Sequence, residues 1–146
     1  MADGGWQTPS AQPLTREAHN QRMLGTNKIV AFIPTTDYDA ARAFYEGTLG
    51  LRFVSQDGFA MVLDANGITI RVTKLREHTP LPYTILGWEV SDIERTVSEL
   101  TERGVKFERY GFFEQDPLGI WTAPTGDKVA WFKDSDGNTL SVSLHV

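Results

Sequence analysis

The sequence predicts an α+β fold of two tandem strand-helix-strand-strand-strand modules. Three observations lead there. A short apolar run, a capped amphipathic segment and three further strand-like runs occupy about residues 28 to 75, and the same order restarts at about 84 and runs to 146. The halves also superpose, with Asp37 over Asp92 at an offset of 55 and Phe53 over Phe107 at an offset of 54. Agreement of caps, helix lengths and glycine stops marks an internal duplication, with one residue gained or lost in the helix region.

In the first module Ile29, Ala31 and Ile33 alternate with Val30 and Phe32, a run that suits a strand buried on both faces and closed by Pro34. Asp37 is placed to cap a helix whose Ala40, Ala41, Phe44 and Tyr45 share a face, and Gly50 suits its stop. Residues 51–56 read as a strand, Asp57-Gly58 as a tight turn, 59–63 as the return, and Asn66-Gly67 as a second turn before a strand over 68–75. A connector containing Pro80 and Pro82 follows.

In the second module residues 85–90 predict a strand. Ser91-Asp92-Ile93-Glu94 has capping-box spacing, in which the Ser91 hydroxyl and the Glu94 carboxylate satisfy each other's free backbone N–H groups. Ile93, Val97 and Leu100 recur at i, i+4 and i+7, and Gly104 ends the helix. From Val105 the chain is predicted to return to strand; residues 124–127 are a turn, 128–133 a strand, 136–138 a turn and 139–145 the last strand.

Composition narrows the function classes. With 146 residues, 40% of them hydrophobic, the chain suits one compact domain over 27–146. Residues 1–26 are rich in Gly, Pro, Gln, Ser and Thr without sustained periodicity, which predicts a flexible tail; Trp6 either moves with it or docks, and Met23 is a second candidate start. The net charge of -5 and the lack of a basic, aromatic-interleaved run argue against nucleic acid. The absence of cysteine excludes disulfides, a thiolate nucleophile and Cys-containing zinc sites within this chain. No apolar stretch approaches the roughly 20 residues of a bilayer span, and no charged segment leads into an apolar leader. A soluble cytoplasmic protein is expected. Nor do P-loop, GxSxG, HExxH or dinucleotide glycine motifs occur.

The duplicated unit resembles the vicinal oxygen chelate superfamily, which groups glyoxalase I, bleomycin-resistance proteins, fosfomycin-resistance enzymes and extradiol dioxygenases. The resemblance covers about residues 28 to 146 and is carried by Asp37, Phe44-Tyr45 and Leu49-Gly50-Leu51 in the first half. In the second half it is carried by GWEVSDI over 87–93 and WFKDSDGN over 131–138. It implies a curved mixed sheet around a cup, helices on the convex side, and a symmetric homodimer that completes its cups through paired modules. It also implies metal ligands at positions that here hold Val30, Ile85 and Ser141, with a fourth between Ile70 and Thr73. These residues offer no imidazole or carboxylate. His19, His78 and His145 are scattered through tail, connector and C-terminus, so neither a metal nor a cofactor is expected within the chain. A site shared across a dimer would draw on His145 or Glu89.

Strand alternation supplies the candidate site. With Leu86, Trp88 and Val90, Ile68, Ile70 and Val72, and Leu140, Val142 and Leu144 under the helices, the cup receives Ile85, Gly87, Glu89, Thr69, Arg71, Thr73, Ser141, Ser143 and His145, with Phe32 from the first strand. The predicted ligand-binding set is Phe32, Arg71, Glu89, Trp121, Trp131, Ser141, Ser143 and His145; no catalytic residue is assigned. Arg71 and Glu89 either pair with each other or meet a ligand or water. The aromatic segment 110–121 is a lid, a hydrophobic cluster or a dimer contact. The expected function is binding of a small molecule, of the bleomycin-resistance type and without the metal. The alternatives are a glyoxalase- or dioxygenase-like lyase or oxidoreductase with an unconventional or intersubunit site, and a scaffold with no ligand.

Overall fold

The structure, a computed structural model, describes residues 15, 16 and 22–146. Trp6 and His19, with most of the predicted tail, lie outside the described residues. An exposed 3-10 turn, Met23–Thr26, leads into the first module.

That module runs β1 (Val30–Thr35), α1 (Tyr38–Arg42), β2 (Arg52–Gln56), β3 (Met61–Ala65) and β4 (Ile68–Lys74). Its sheet has the order β1-β4-β3-β2, with β1 and β4 parallel and the other pairs antiparallel. The second module repeats the plan as β5 (Thr84–Glu89), α2 (Ile93–Glu102), β6 (Trp121–Thr122), β7 (Lys128–Lys133) and β8 (Thr139–Leu144), ordered β5-β8-β7-β6 with β5 and β8 parallel. The duplication predicted from the offsets is thus the architecture, an α+β fold of two βαβββ modules.

The change in offset has a structural cause. Asp37 caps α1, its carboxylate accepting from the amides of Asp39 and Ala40, but after Arg42 the helix widens into a π-helical turn, Ala43–Thr48. The Leu49 amide donates to the Phe44 carbonyl five residues back, and Gly50 then takes φ +82. A π turn accommodates one extra residue without breaking the helix, and α2 has none.

Four sequence expectations need correction. The N-cap of α2 is Asp92, whose carboxylate accepts from the Arg95 amide, rather than Ser91; this starts the helix at Ile93, which is fully buried. The Glu94 carboxylate turns to Lys128, 3.5 Å away, instead of back to the cap. The strand predicted from Val105 is reduced to one bridge, Phe107 with Phe132, followed by a long loop that delays β6 to Trp121. In that loop the Asp116 carboxylate accepts from the amides of Leu118 and Ile120, and Gln115 donates to the carbonyls of Glu108 and Gly119. Backbone polar groups that a ladder would have used are satisfied by these side chains instead. Finally, β1 is covered on one face only. Ile33 is buried while Phe32 is 65% and Val30 44% exposed.

One core joins the modules. Ile33, Ala41, Tyr45, Ile70 and Val72 of the first pack in the same cluster as Ile93, Val97, Phe132, Leu140 and Val142 of the second. The rings of Phe44 and Phe132 meet across the seam at 6.3 Å. The predicted helix-side positions are buried or half-buried except Ile68, which is 40% exposed where β4 leaves the Asn66-Gly67 turn.

A polar clasp closes the seam. The buried Asp134 carboxylate accepts from the Tyr45 hydroxyl, from the Asn138 side-chain amide and from the backbone amides of Asp136 and Asn138. Asn138 also donates to the Pro34 carbonyl, and Asp136 accepts from Thr35 and Thr36 of the first module. Because Asn138 spends its N–H groups on Asp134 and Pro34, its oxygen is the acceptor for His78, whose Nε2 therefore carries the proton. Burial first, and then the Asp134 charge, push the Tyr45 hydroxyl far above its ordinary range.

Candidate functional site

Since the inner faces of the two sheets share one core, their opposite faces are left open, one on each sheet. Register assigns the residues on each. On the first sheet Phe32 lies beside Arg71, which lies beside Val62, and Val30 lies beside Thr69, which lies beside Asp64. On the second, one row is Gly87, Ser141 and Trp131, the next is Glu89, Ser143, Val129 and Trp121, and Lys133 pairs with Thr139. The predicted alternation holds on both faces. A Cβ built on Gly87 would lie 2.5 Å from the Ser141 Oγ, which confirms that these two share a side.

The structure therefore divides the predicted set. Phe32 and Arg71 are neighbours on one sheet, while Glu89, Trp121, Trp131, Ser141, Ser143 and His145 belong to the other. No ion pair within this chain joins Arg71 to Glu89 among the described residues. Arg71 is half-buried, and its charge adds a little to the lowering of the Asp57 carboxyl, which the Phe59 and Ala60 amides hold below its ordinary value. Glu89 is exposed at the rim of an apolar groove of about 330 Å³ between the modules, bordered by Leu51, Trp88 and Phe132.

The segment 110–121 forms a packed aromatic cluster on the open face of the second sheet. Phe113 stacks on Trp131 with centroids 5.4 Å apart and planes 4° from parallel, and it lies 4.7 Å from Trp121. Tyr110 meets the Trp131 ring edge-on at 5.5 Å, and Phe112 packs on Phe113 with its own outer side exposed. Such rings prefer these offset and edge-to-face arrangements because the negative face of one meets the positive edge of another. The result is a packed aromatic wall bordering a strip of small polar side chains.

At the far end of that strip stands a hydrogen-bonded chain. His145 Nδ1 is 3.2 Å from an Asp127 carboxylate oxygen, and its Nε2 is 2.9 Å from the Ser143 hydroxyl. An ionised carboxylate can only accept, so Nδ1 carries the proton, and in the neutral ring Nε2 accepts from Ser143. The Val146 amide first, and His145 second, hold the Asp127 carboxyl below its ordinary value. A groove of about 590 Å³ opens beside Trp121, between Glu114 and Pro124.

The donor set does not fit a metal. Val30, Ile85 and Ser141 occupy the positions implied by the resemblance, and β4 offers only Ile70, Arg71, Val72 and Thr73 there. Among the described residues no three His, Cys, Asp or Glu side chains are grouped to hold a cation.

Sequence reasoning passed over Tyr110, Phe113, Lys133 and Thr139 as individual site residues. The last two were legible from alternation alone, since Lys133 is two residues from Trp131 and Thr139 two from Ser141. The first two reach the face only through the fold of the loop.

The comparisons with known proteins agree with this architecture. A model of the Glyoxalase/Bleomycin resistance protein/Dioxygenase superfamily matches residues 26–142. A member of that superfamily from Sphaerobacter thermophilus is 24% identical, over 82% of this chain and 98% of that one, with a TM-score of 0.64. A bleomycin resistance determinant encoded on the transposon Tn5 is 21% identical over 82% and 98%, with a TM-score of 0.64. A bleomycin-binding protein complexed with bleomycin is 20% identical over 83% and 100%, also with a TM-score of 0.64. At such identities the structural likeness establishes a shared fold. A sequence comparison with curated proteins gives no match.

Proposed function

The chain belongs to the Glyoxalase/Bleomycin resistance protein/Dioxygenase superfamily, and on that premise we propose that it is a cytoplasmic small-molecule-binding protein of the bleomycin-resistance type, working without a metal. The observation that carries the reading is the wall of Trp131, Phe113 and Trp121 beside Ser141 and Ser143. Apolar rings supply affinity for a planar ligand and a few hydroxyls orient it, which is the usual division of labour in such sites. A structural relative is a bleomycin-binding protein complexed with bleomycin, which supports a small-molecule ligand here.

In this reading the protein is a homodimer. The exposed Phe32 and Val30 on the first sheet are apolar surface that a partner module would cover, and pairing of unlike modules would bring Arg71 of one subunit toward the second-sheet face of the other. Titration calorimetry with metal-free bleomycin and a panel of planar aromatic compounds tests the proposal. Binding should be weakened by about 1 to 2 kcal/mol in Trp131→Ala. Absence of binding across the panel, or a monomer at micromolar concentration in ultracentrifugation, would overturn the ligand and the dimer respectively.

One observation favours an enzymatic reading. The Asp127–His145–Ser143 chain sets the ring so that its Nε2 faces the Ser143 hydroxyl, the orientation a general base requires. If it works on a bound substrate, turnover should fall in Asp127→Asn through loss of the tautomer while affinity is kept; unchanged turnover would dismiss it.

A further inference from the structure

At the upper end of the second sheet, residues 80–82 of the connector lie over Lys133, Thr139 and Tyr110 and enclose a groove of about 370 Å³. We propose that this groove is an anion subsite, taking the carboxylate or phosphate of an aromatic ligand whose ring lies against Trp131. The inference rests on the small-molecule reading above and adds the charge of the ligand to it.

Four features of the groove support it. Lys133 and Thr139 are paired across β7 and β8, and both project on the open face, because Trp131 and Ser141 two residues away do so. Thr139 is only 6% exposed as a residue, and its hydroxyl, which has no hydrogen-bond partner among the described residues, opens on the groove that it lines. A hydroxyl that opens on the groove with no protein acceptor keeps its donor free, and a bound oxyanion is an acceptor for it. Lys133 is half-exposed and held only by a 3.8 Å contact to Glu108, too long for a strong hydrogen bond, so its ammonium donors are available. Tyr110 completes the lining; burial, and next the Glu108 charge, keep its hydroxyl protonated as a further donor.

Tyr110 lines the groove and touches Trp131 edge-on, so the groove adjoins the aromatic wall against which the ring of the ligand is proposed to lie. The strap over the groove is seated firmly. Gly137 has φ +84, and a Cβ there would lie 2.9 Å from Pro80.

Calorimetry on the full chain with naphthalene-2-carboxylate, 2-naphthyl phosphate and the uncharged isostere naphthalene-2-carboxamide tests the subsite. At least one anion should bind ten-fold or more tightly than the amide, and the tighter of the two identifies the preferred oxyanion. Lys133→Gln should bring that ratio to about one while leaving the amide affinity unchanged, with near-UV circular dichroism as the check of folding. Thr139→Val should weaken the anion about three-fold and leave the amide alone. An amide bound as tightly as both anions, or a ratio that survives in Lys133→Gln, overturns the anion subsite and leaves the aromatic wall standing. Failure of all three compounds to bind would remove the underlying small-molecule reading itself.

Discussion

The two modules share a plan and differ at two points, a helix and a strand. In the first, the helix carries the additional residue as a π turn and the second strand, β2, is a full ladder partner of β3. In the second, the helix is regular, while the corresponding pairing is reduced to the Phe107 bridge and the two-residue β6, and the chain between them brings Tyr110, Phe112 and Phe113 to the aromatic wall. The open faces differ accordingly. That of the first sheet is Phe32, Arg71, Val62 and Thr69, with little to grip a ring; that of the second combines stacked aromatics, hydroxyls and Lys133. A duplicated scaffold has kept its core positions and diverged where backbone hydrogen bonds can be traded for side-chain ones.

The common core joins these unlike halves and the clasp at Asp134 closes the seam between them; removing the clasp should have the largest effect. Asp134→Ala leaves the Tyr45 hydroxyl and the Asn138 amide without their buried acceptor and is expected to cost about 3 kcal/mol of stability in urea denaturation. A loss under about 1 kcal/mol would mean that the modules are joined by apolar contact alone.

Next in size are the helix caps, where the modules can be compared directly. Asp37 accepts from two backbone amides and Asp92 from one. Asp37→Ala should therefore cost about 1.5 kcal/mol and Asp92→Ala about 1 kcal/mol. The reverse order would show that burial of Ile93, rather than the cap, decides the stability of α2.

The clasp should also show in acid, with a smaller effect. Burial raises the Asp136 carboxyl, but the Thr35 and Thr36 hydroxyls and the Thr36 amide outweigh it, so the folded value lies below the ordinary 3.8. Stability from this group is then full above that value and is lost as pH falls through the folded one. Denaturation midpoints should decline below about pH 4, and Asp136→Asn should flatten the decline. An unchanged pH profile in that variant would assign acid sensitivity to other carboxylates.

The smallest effect is expected where the halves differ by one residue. Deleting Gly47, which lies in the π turn with no heavy atom near its missing Cβ, should restore regular helix at a change in stability within about 1 kcal/mol. Unfolding would show that the wide turn is needed to seat Tyr45 at the clasp.

Much of the molecule was determined by the sequence alone, because its signals are local. Alternation set which residues of β4, β5 and β8 face the core, Asp37 and Asn66-Gly67 marked a cap and a turn, and the offset between the halves located the irregular helix. Side-chain period and capping depend on a few neighbouring residues and can be read in one dimension. Local signals also misled at Ser91, where two capping residues stand side by side and only the burial of Ile93 selects Asp92. The tertiary structure decided the rest: that β1 has one open face, that Arg71 and Glu89 lie on different sheets, that residues 110–121 fold onto Trp131, and that the connector encloses Lys133 with Thr139. Those outcomes depend on how two sheets bury their inner faces against common helices, a contact between residues far apart in sequence that no local period encodes.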